Sequence, residues 1–148
     1  MYDRQKAVEY AKRWAMGRNP AYYDFEHIGG DCTNFVSQCL YVGCGEMNYS
    51  TDGWYYNSLS DRTPAWTGVE FLGRFLLSNN GMGVKGEVIP LSMAKQGDIV
   101  QLYDGARYYH TAIITGLVPI LVCAHSVDVR DGRLDGYECE GVRCIGIY

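Results

Sequence analysis

Residues 29–38 have the sequence Gly-Gly-Asp-Cys-Thr-Asn-Phe-Val-Ser-Gln, and this stretch is the most informative part of the chain. The two glycines allow a sharp backbone turn and a close approach to a ligand. Apolar side chains then recur at helical spacing, at Phe35, Val36, Cys39 and Leu40. This spacing predicts a helix over residues 32–42 that ends at Gly43.

Cys32 would lie in the first turn of that helix. Backbone N–H groups without an intrahelical partner and the helix dipole favour an anion there. A thiol so placed is expected to have a lowered pKa and a larger thiolate fraction, as nucleophilic attack requires. The alternative is a buried structural cysteine like Cys39 or Cys44, and the residues alone favour neither interpretation.

The chain has three histidines that could serve as the base. His110 begins an apolar run at residues 110–114, which predicts a strand with His110 at its start. In an arbitrary protein, such a histidine more often lies at the surface or at the edge of the core. His27 lies on the loop before Cys32, and we interpret it as a structural or substrate-contacting residue.

His125 ends the next predicted strand, at residues 121–125. If a turn at residues 117–119 joins the two strands in a hairpin, His125 would be a neighbour of His110. It could then donate or accept a hydrogen bond that fixes the tautomer of His110. Asp128 is the alternative orienting group, because a carboxylate would also stabilise an imidazolium.

Helices come first along the chain and strands follow, which predicts a single α+β domain over residues 1–148. The first helix is expected over residues 3–16, with Asp3 as its cap. A third helix is expected to start near Thr67, where Thr67 and Glu70 form a capping box. Strands are expected in four ranges: residues 99–102, 109–115, 120–124 and 142–147.

Composition narrows the range of partners. The 148 residues include 47% hydrophobic and 20% charged side chains, and the net charge is -4. No block of Lys and Arg occurs, so nucleic acids and anionic membrane surfaces are poor expectations. No apolar run reaches the length of a membrane span, and no signal peptide begins the chain. A cytosolic protein or a processed or excised domain would fit, and localisation stays open.

Residues 30–38 resemble the nucleophile motif of papain-like bacterial amidases, which include the CHAP and NlpC-type peptidoglycan hydrolases. The likeness is strongest to the putative amidase domain family of Firmicutes, which is described by the same Asp-Cys-Thr-Asn-Phe-Val-Ser-Gln box. Residues 96–102 resemble the turn and strand that precede the family's histidine. Residues 109–115 resemble the strand that carries it, and residues 124–128 resemble the strand of the third catalytic residue.

The resemblance implies a papain-like cysteine hydrolase fold, with N-terminal helices packed on a C-terminal antiparallel sheet. It implies amide hydrolysis by Cys32 and His110, with His125 orienting the base in the NlpC-like manner. Neither a metal nor another cofactor is implied, and the substrate would be a peptide or a peptidoglycan fragment. A catalytically inactive module that binds cell-wall ligands is the alternative.

Three further residues are candidates for the oxyanion or substrate site. NlpC-type enzymes place a tyrosine upstream of the cysteine, and Tyr23 is preferred over Tyr22 for that role. Asp31 could contact substrate, although an N-cap is the favoured interpretation. Trp54 lies in a long aromatic segment, residues 44–66, that could stack on a ligand or cover the core.

Overall fold

A computed structural model describes all residues, 1–148. Four helices lie mainly in the N-terminal half, and most of the strands follow them. The helices are α1 Arg4–Trp14, α2 Cys32–Cys44, α3 Pro64–Thr67 and α4 Val69–Ser78. The strands are β1 Tyr56–Ser58, β2 Asp61–Arg62, β3 Gly86–Ile89, β4 Ile99–Tyr103, β5 Tyr108–Leu117, β6 Ile120–Ala124, β7 Val129–Arg133 and β8 Gly141–Ile147. The predicted α+β class is confirmed.

Six strands form one antiparallel sheet in the order β3-β8-β4-β5-β6-β7. Strand β5 is central and is the longest, and it lies between β4 and β6. Its partner β6 stops at Ala124, so the first residues of β5 extend beyond the end of β6. The candidate functional site lies beside this stretch of β5, which pairs with β4 but not with β6.

The main core lies between the helices and one face of the sheet. Helix α2 is buried along most of its length, and nine consecutive residues, from Cys32 to Leu40, are buried. Such a helix carries apolar or internally hydrogen-bonded side chains on all sides. A second, smaller cluster covers the opposite face, where Leu102, Ala112 and Ile114 lie.

Most element predictions are confirmed, and the differences have local causes. Asp3 caps α1, because its carboxylate accepts a hydrogen bond from the Lys6 N–H. The capping box at Thr67 is wrong: Thr67 ends the short helix α3, and Gly68 occupies the cap position of α4. Glu70 instead accepts a hydrogen bond from the Tyr108 N–H at 2.8 Å. Strands β3 and β7 and the small β1–β2 hairpin lie outside the predicted strand ranges.

The two tryptophans of the aromatic segment lie in the core. Trp54 is fully buried, and its Nε1–H donates to Ser37 Oγ at 3.0 Å. Its ring lies 4.8 Å from that of Trp66, which is also fully buried. Trp54 therefore cannot stack on a ligand in this structure, and of the two expectations the core role is confirmed. None of the helices is both long and apolar enough to span a bilayer.

Candidate active site at the start of helix α2

Asp31, immediately before Cys32, is a buried hydrogen-bond acceptor. Its carboxylate accepts from the Phe25 N–H at 2.8 Å and from Asn34 Nδ2 at 2.9 Å. His125 Nδ1 lies 2.5 Å from its other oxygen. Asp31 occupies the N-cap position of α2, but its side chain makes no capping bond. The favoured N-cap interpretation thus holds for its position but not for its side chain, which is fully buried and bonded to other groups.

The other polar side chains of the box also have structural partners. Thr33 Oγ1 lies 3.0 Å from Thr111 Oγ1 on β5. Asn34 Oδ1 accepts from Trp66 Nε1–H at 3.0 Å, and Ser37 Oγ–H donates to the Trp66 carbonyl at 2.9 Å. These bonds fix α2 against the sheet and the aromatic core. The Cys32 thiol makes no contact as short as these.

The Cys32 thiol has only a weak contact and is 7% exposed. Its sulfur lies 3.8 Å from Thr33 Oγ1, a long contact in which either atom could be the donor. Burial raises the pKa of the Cys32 thiol, while the Thr111 backbone and the Thr33 hydroxyl act against that rise. The expected lowering of its pKa is therefore wrong, since desolvation outweighs the donors at the helix start.

His110 lies near the start of β5 and is also 7% exposed. Its Nε2 is buried and has no hydrogen-bond partner. Burial lowers the pKa of His110 from 6.5 to about 4, so the imidazole is neutral at physiological pH. Two tyrosine rings flank it: the centroid of Tyr137 is 5.5 Å away and that of Tyr109 is 6.4 Å away.

Cys32 and His110 lie where the start of α2 meets the start of β5. Thr33 Oγ1, one residue after Cys32, lies 3.0 Å from Thr111 Oγ1, one residue after His110. The ring of Tyr137 lies beside that of His110. No hydrogen bond joins the thiol to the imidazole. The thiol and the imidazole are both uncharged at neutral pH, because burial raises the pKa of Cys32 and lowers that of His110.

His125 does not contact His110, and this prediction is wrong. Its Nδ1 bonds to Asp31 and its Nε2 lies 2.8 Å from the Trp14 carbonyl oxygen, so both ring nitrogens are engaged. The register explains the difference, since Ile113 pairs with Cys123 and residue 125 therefore falls opposite Thr111. A shift of one residue puts a side chain on the other face of a sheet.

Asp128, the alternative orienting residue, does not contact His110 either. Its carboxylate accepts two hydrogen bonds from Arg18, at 2.9 and 3.1 Å. Tyr23 is 40% exposed, and its carbonyl accepts from Asn34 Nδ2 at 3.0 Å, which holds its loop to the start of α2. The Tyr23 phenol is unbonded, and its role in the oxyanion site stays a prediction. His27 is exposed.

Sequence reasoning did not single out Tyr137. It follows a short 3-10 helix, Leu134–Gly136, that connects β7 to β8, and its hydroxyl is buried without a partner. No periodicity or motif marks this position, because only the folding of β7 beside β6 brings it to His110. An acidic hollow lies next to it, lined by Asp104, Tyr109, Tyr137, Glu138, Cys139 and Glu140.

The chain matches a family model and resembles two bacterial proteins. A family model described as "Putative amidase domain" matches residues 1–146. The uncharacterized protein YhbB of Bacillus subtilis (strain 168) is 34% identical over 87% of this chain and 43% of its own length. The uncharacterized protein YjcM of the same organism is 32% identical over 77% of this chain and 28% of its own length. The chain thus spans less than half of each relative. No solved structure matches.

Proposed function

Since the chain belongs to this amidase-domain family, we propose that it is a cysteine-dependent amide hydrolase in which Cys32 is the nucleophile and His110 is the base. One observation carries the proposal. The polar side chains around Cys32 in the box are held by short hydrogen bonds, whereas the buried Nε2 of His110 has no partner and the Cys32 thiol has only a 3.8 Å contact with Thr33 Oγ1. A scaffold that engages the flanking polar groups firmly and holds a thiol and an imidazole only weakly is suited to reaction rather than to support.

The neutral state of both groups defines the first step. As the sulfur attacks the amide carbonyl carbon, His110 accepts the thiol proton and becomes an imidazolium. The C=O electron pair moves to the oxygen, and the free N–H groups of the first turn of α2 are the donors for this oxyanion. Unlike a preformed thiolate–imidazolium pair, this pair separates charge only when substrate is bound.

The second half of the reaction returns the enzyme to its starting state. The imidazolium of His110 gives its proton to the leaving amine as the C–N bond breaks, and a thioester remains on Cys32. Water, deprotonated by His110, then attacks the thioester and releases the carboxylic acid. As the C–S bond breaks, the imidazolium of His110 returns the water proton to the Cys32 sulfur, so the thiol and the neutral imidazole are restored and no further reactant is needed.

The proposed substrate is a cell-wall peptide or a sugar–peptide amide. The support is the likeness of residues 30–38 to the nucleophile motif of peptidoglycan hydrolases and the bacterial source of both relatives. The acidic hollow beside Tyr137 adds a place where an amino group of such a peptide could lie.

A second candidate function rests on a different observation. Cys32 is only 7% exposed, and its thiol makes no hydrogen bond to His110. A binding module that has kept the fold without turnover would show the same burial. Such a module would bind cell-wall peptides and release no product.

Hydrolysis of purified peptidoglycan peptides, followed by mass spectrometry, tests the proposal. We expect Cys32→Ser and His110→Ala to lower product release by at least about a hundredfold, as loss of a nucleophile or base does. Cys44→Ser is the matched control, because Cys44 is a free cysteine at the other end of α2, and it should keep wild-type activity. Wild-type protein that binds these peptides but never cleaves them, with Cys32→Ser binding equally well, would support the binding module instead.

A further inference from the structure

Two buried polar atoms without partners lie in neighbouring residues of the candidate site. They are Nε2 of His110 and the hydroxyl oxygen of Tyr137. Buried polar groups are almost always hydrogen-bonded, so an unpaired one needs an explanation. Two that lie in adjacent rings, with centroids 5.5 Å apart and planes tilted by 41°, suggest a common one.

We propose that Tyr137 is the positioning residue for His110, with its hydroxyl oxygen accepting the Nε2–H of the imidazole. This inference rests on the proposed function, in which His110 is the base. It gives Tyr137 the role that His125 and Asp128 were expected to have.

The other polar groups that could orient His110 are engaged elsewhere. His125 is bonded to Asp31 and Trp14, and Asp128 is bonded to Arg18. Tyr109 is 40% exposed, and its hydroxyl donates to the Glu138 carbonyl. Of the groups beside the ring, Tyr137 alone has a buried hydroxyl free to pair.

The chemistry of the two atoms is complementary. A neutral imidazole has one N–H and one lone pair, and a phenol can accept from the N–H. With the proton held on the enclosed Nε2, Nδ1 keeps its lone pair and can take the thiol proton of Cys32. Once His110 becomes an imidazolium, Nε2–H still donates to Tyr137, and that bond strengthens because the donor is charged.

A phenol suits this position because it stays neutral. Burial first, and then the charge of Cys32, raise the pKa of the Tyr137 phenol, so the group remains protonated. A neutral acceptor fixes the tautomer without drawing a full charge onto the resting imidazole. In the structure the two atoms are not yet bonded, and catalytic hydrogen bonds are often long before substrate tightens them.

The experiment compares Tyr137→Phe with Tyr109→Phe in 15N-histidine-labelled protein. Each variant removes one hydroxyl from a ring beside His110 and keeps the ring. In wild-type protein we expect the His110 resonances to show the Nε2–H tautomer. Tyr137→Phe should mix the two tautomers and lower the pKa of His110 further, and Tyr109→Phe should change neither.

Labelling of Cys32 by iodoacetamide at neutral pH is the second readout. Loss of one hydrogen bond to His110 should slow it about three- to tenfold in Tyr137→Phe, and Tyr109→Phe should stay within about twofold. Wild-type His110 that carries its proton on Nδ1 would overturn the inference without any variant. A Tyr137→Phe protein with an unchanged tautomer and an unchanged labelling rate would overturn it too.

The two proposals fail in different ways. If the labelling rate of Cys32 is unchanged in His110→Ala, the proposed hydrolase function is wrong, while the tautomer of His110 still decides the role of Tyr137. If Cys32 reactivity depends on His110 but not on Tyr137, the hydrolase stands and the positioning role alone is lost.

Discussion

His125 Nδ1 lies 2.5 Å from Asp31 Oδ2, and this bond ties the end of β6 to the start of α2. The same ring reaches the carbonyl of Trp14 at the end of α1, at 2.8 Å, and stacks on Phe35 with centroids 4.1 Å apart. One buried side chain thereby joins three elements next to the candidate nucleophile. This junction therefore contributes to the stability of the fold beside Cys32.

Removal of the Asp31 carboxylate should destabilise the fold strongly. Asp31→Ala leaves His125 and the Phe25 N–H buried without their acceptor. We expect the free energy of unfolding in urea to fall by roughly 3–5 kcal/mol, as for the loss of one partner from a buried pair. Asp24→Ala is the matched control, because both carboxylates lie near Arg18 Nε, Asp24 at 3.2 Å and Asp31 at 3.5 Å, but Asp24 is exposed. Loss of the Asp24 carboxylate should lower the free energy of unfolding by about 1 kcal/mol or less. Equal, small losses in both variants would contradict a structural role for Asp31.

His125 should matter for stability and not for the tautomer of His110. His125→Gln removes one of the two ring bonds, so we expect a loss of about 1–3 kcal/mol in unfolding free energy. In the folded fraction, the labelling rate of Cys32 should remain within about twofold of wild type. Asp128→Asn should behave alike in labelling, since Asp128 pairs with Arg18. A large drop in labelling for either variant, with stability unchanged, would restore that residue as the orienting group.

The sequence predicts what depends on local patterns and misses what depends on register. The start of α2 at Cys32, the cap at Asp3 and the strand at residues 120–124 agree with the structure because spacing and capping chemistry are local. The pairing of His125 with His110 fails because the β5–β6 register is one residue away from the expected one. Tyr137 has no local signal, because only the sheet order brings it to the site.

The pH dependence of amide hydrolysis should reflect the burial of both Cys32 and His110. With the pKa of His110 lowered to about 4, the base stays competent through the mildly acidic range. We expect the acid limb of kcat/KM for amide hydrolysis near pH 4 rather than near the ordinary histidine value of about 6.5. Because burial raises the pKa of Cys32, thiolate in the free protein should form above its usual range. A rate profile with an acid limb between pH 6 and 7 would contradict a desolvated His110.

The buried neutral His110 should also make the fold sensitive to acid. Its pKa is lowered by burial to about 4 in the folded chain, whereas the unfolded chain binds the proton near the ordinary value of about 6.5. The unfolded state therefore takes up this proton first as pH falls, and the stability present above pH 6.5 is lost progressively towards pH 4. We expect wild-type protein to lose roughly 2–3 kcal/mol more than His110→Gln between pH 7.5 and pH 4.5, measured by urea unfolding at each pH. Carboxylates titrate alike in both proteins, so the difference isolates His110. Parallel losses in the two proteins would show that the imidazole is solvated in the folded state, and the neutral resting pair of thiol and base would then have to be abandoned.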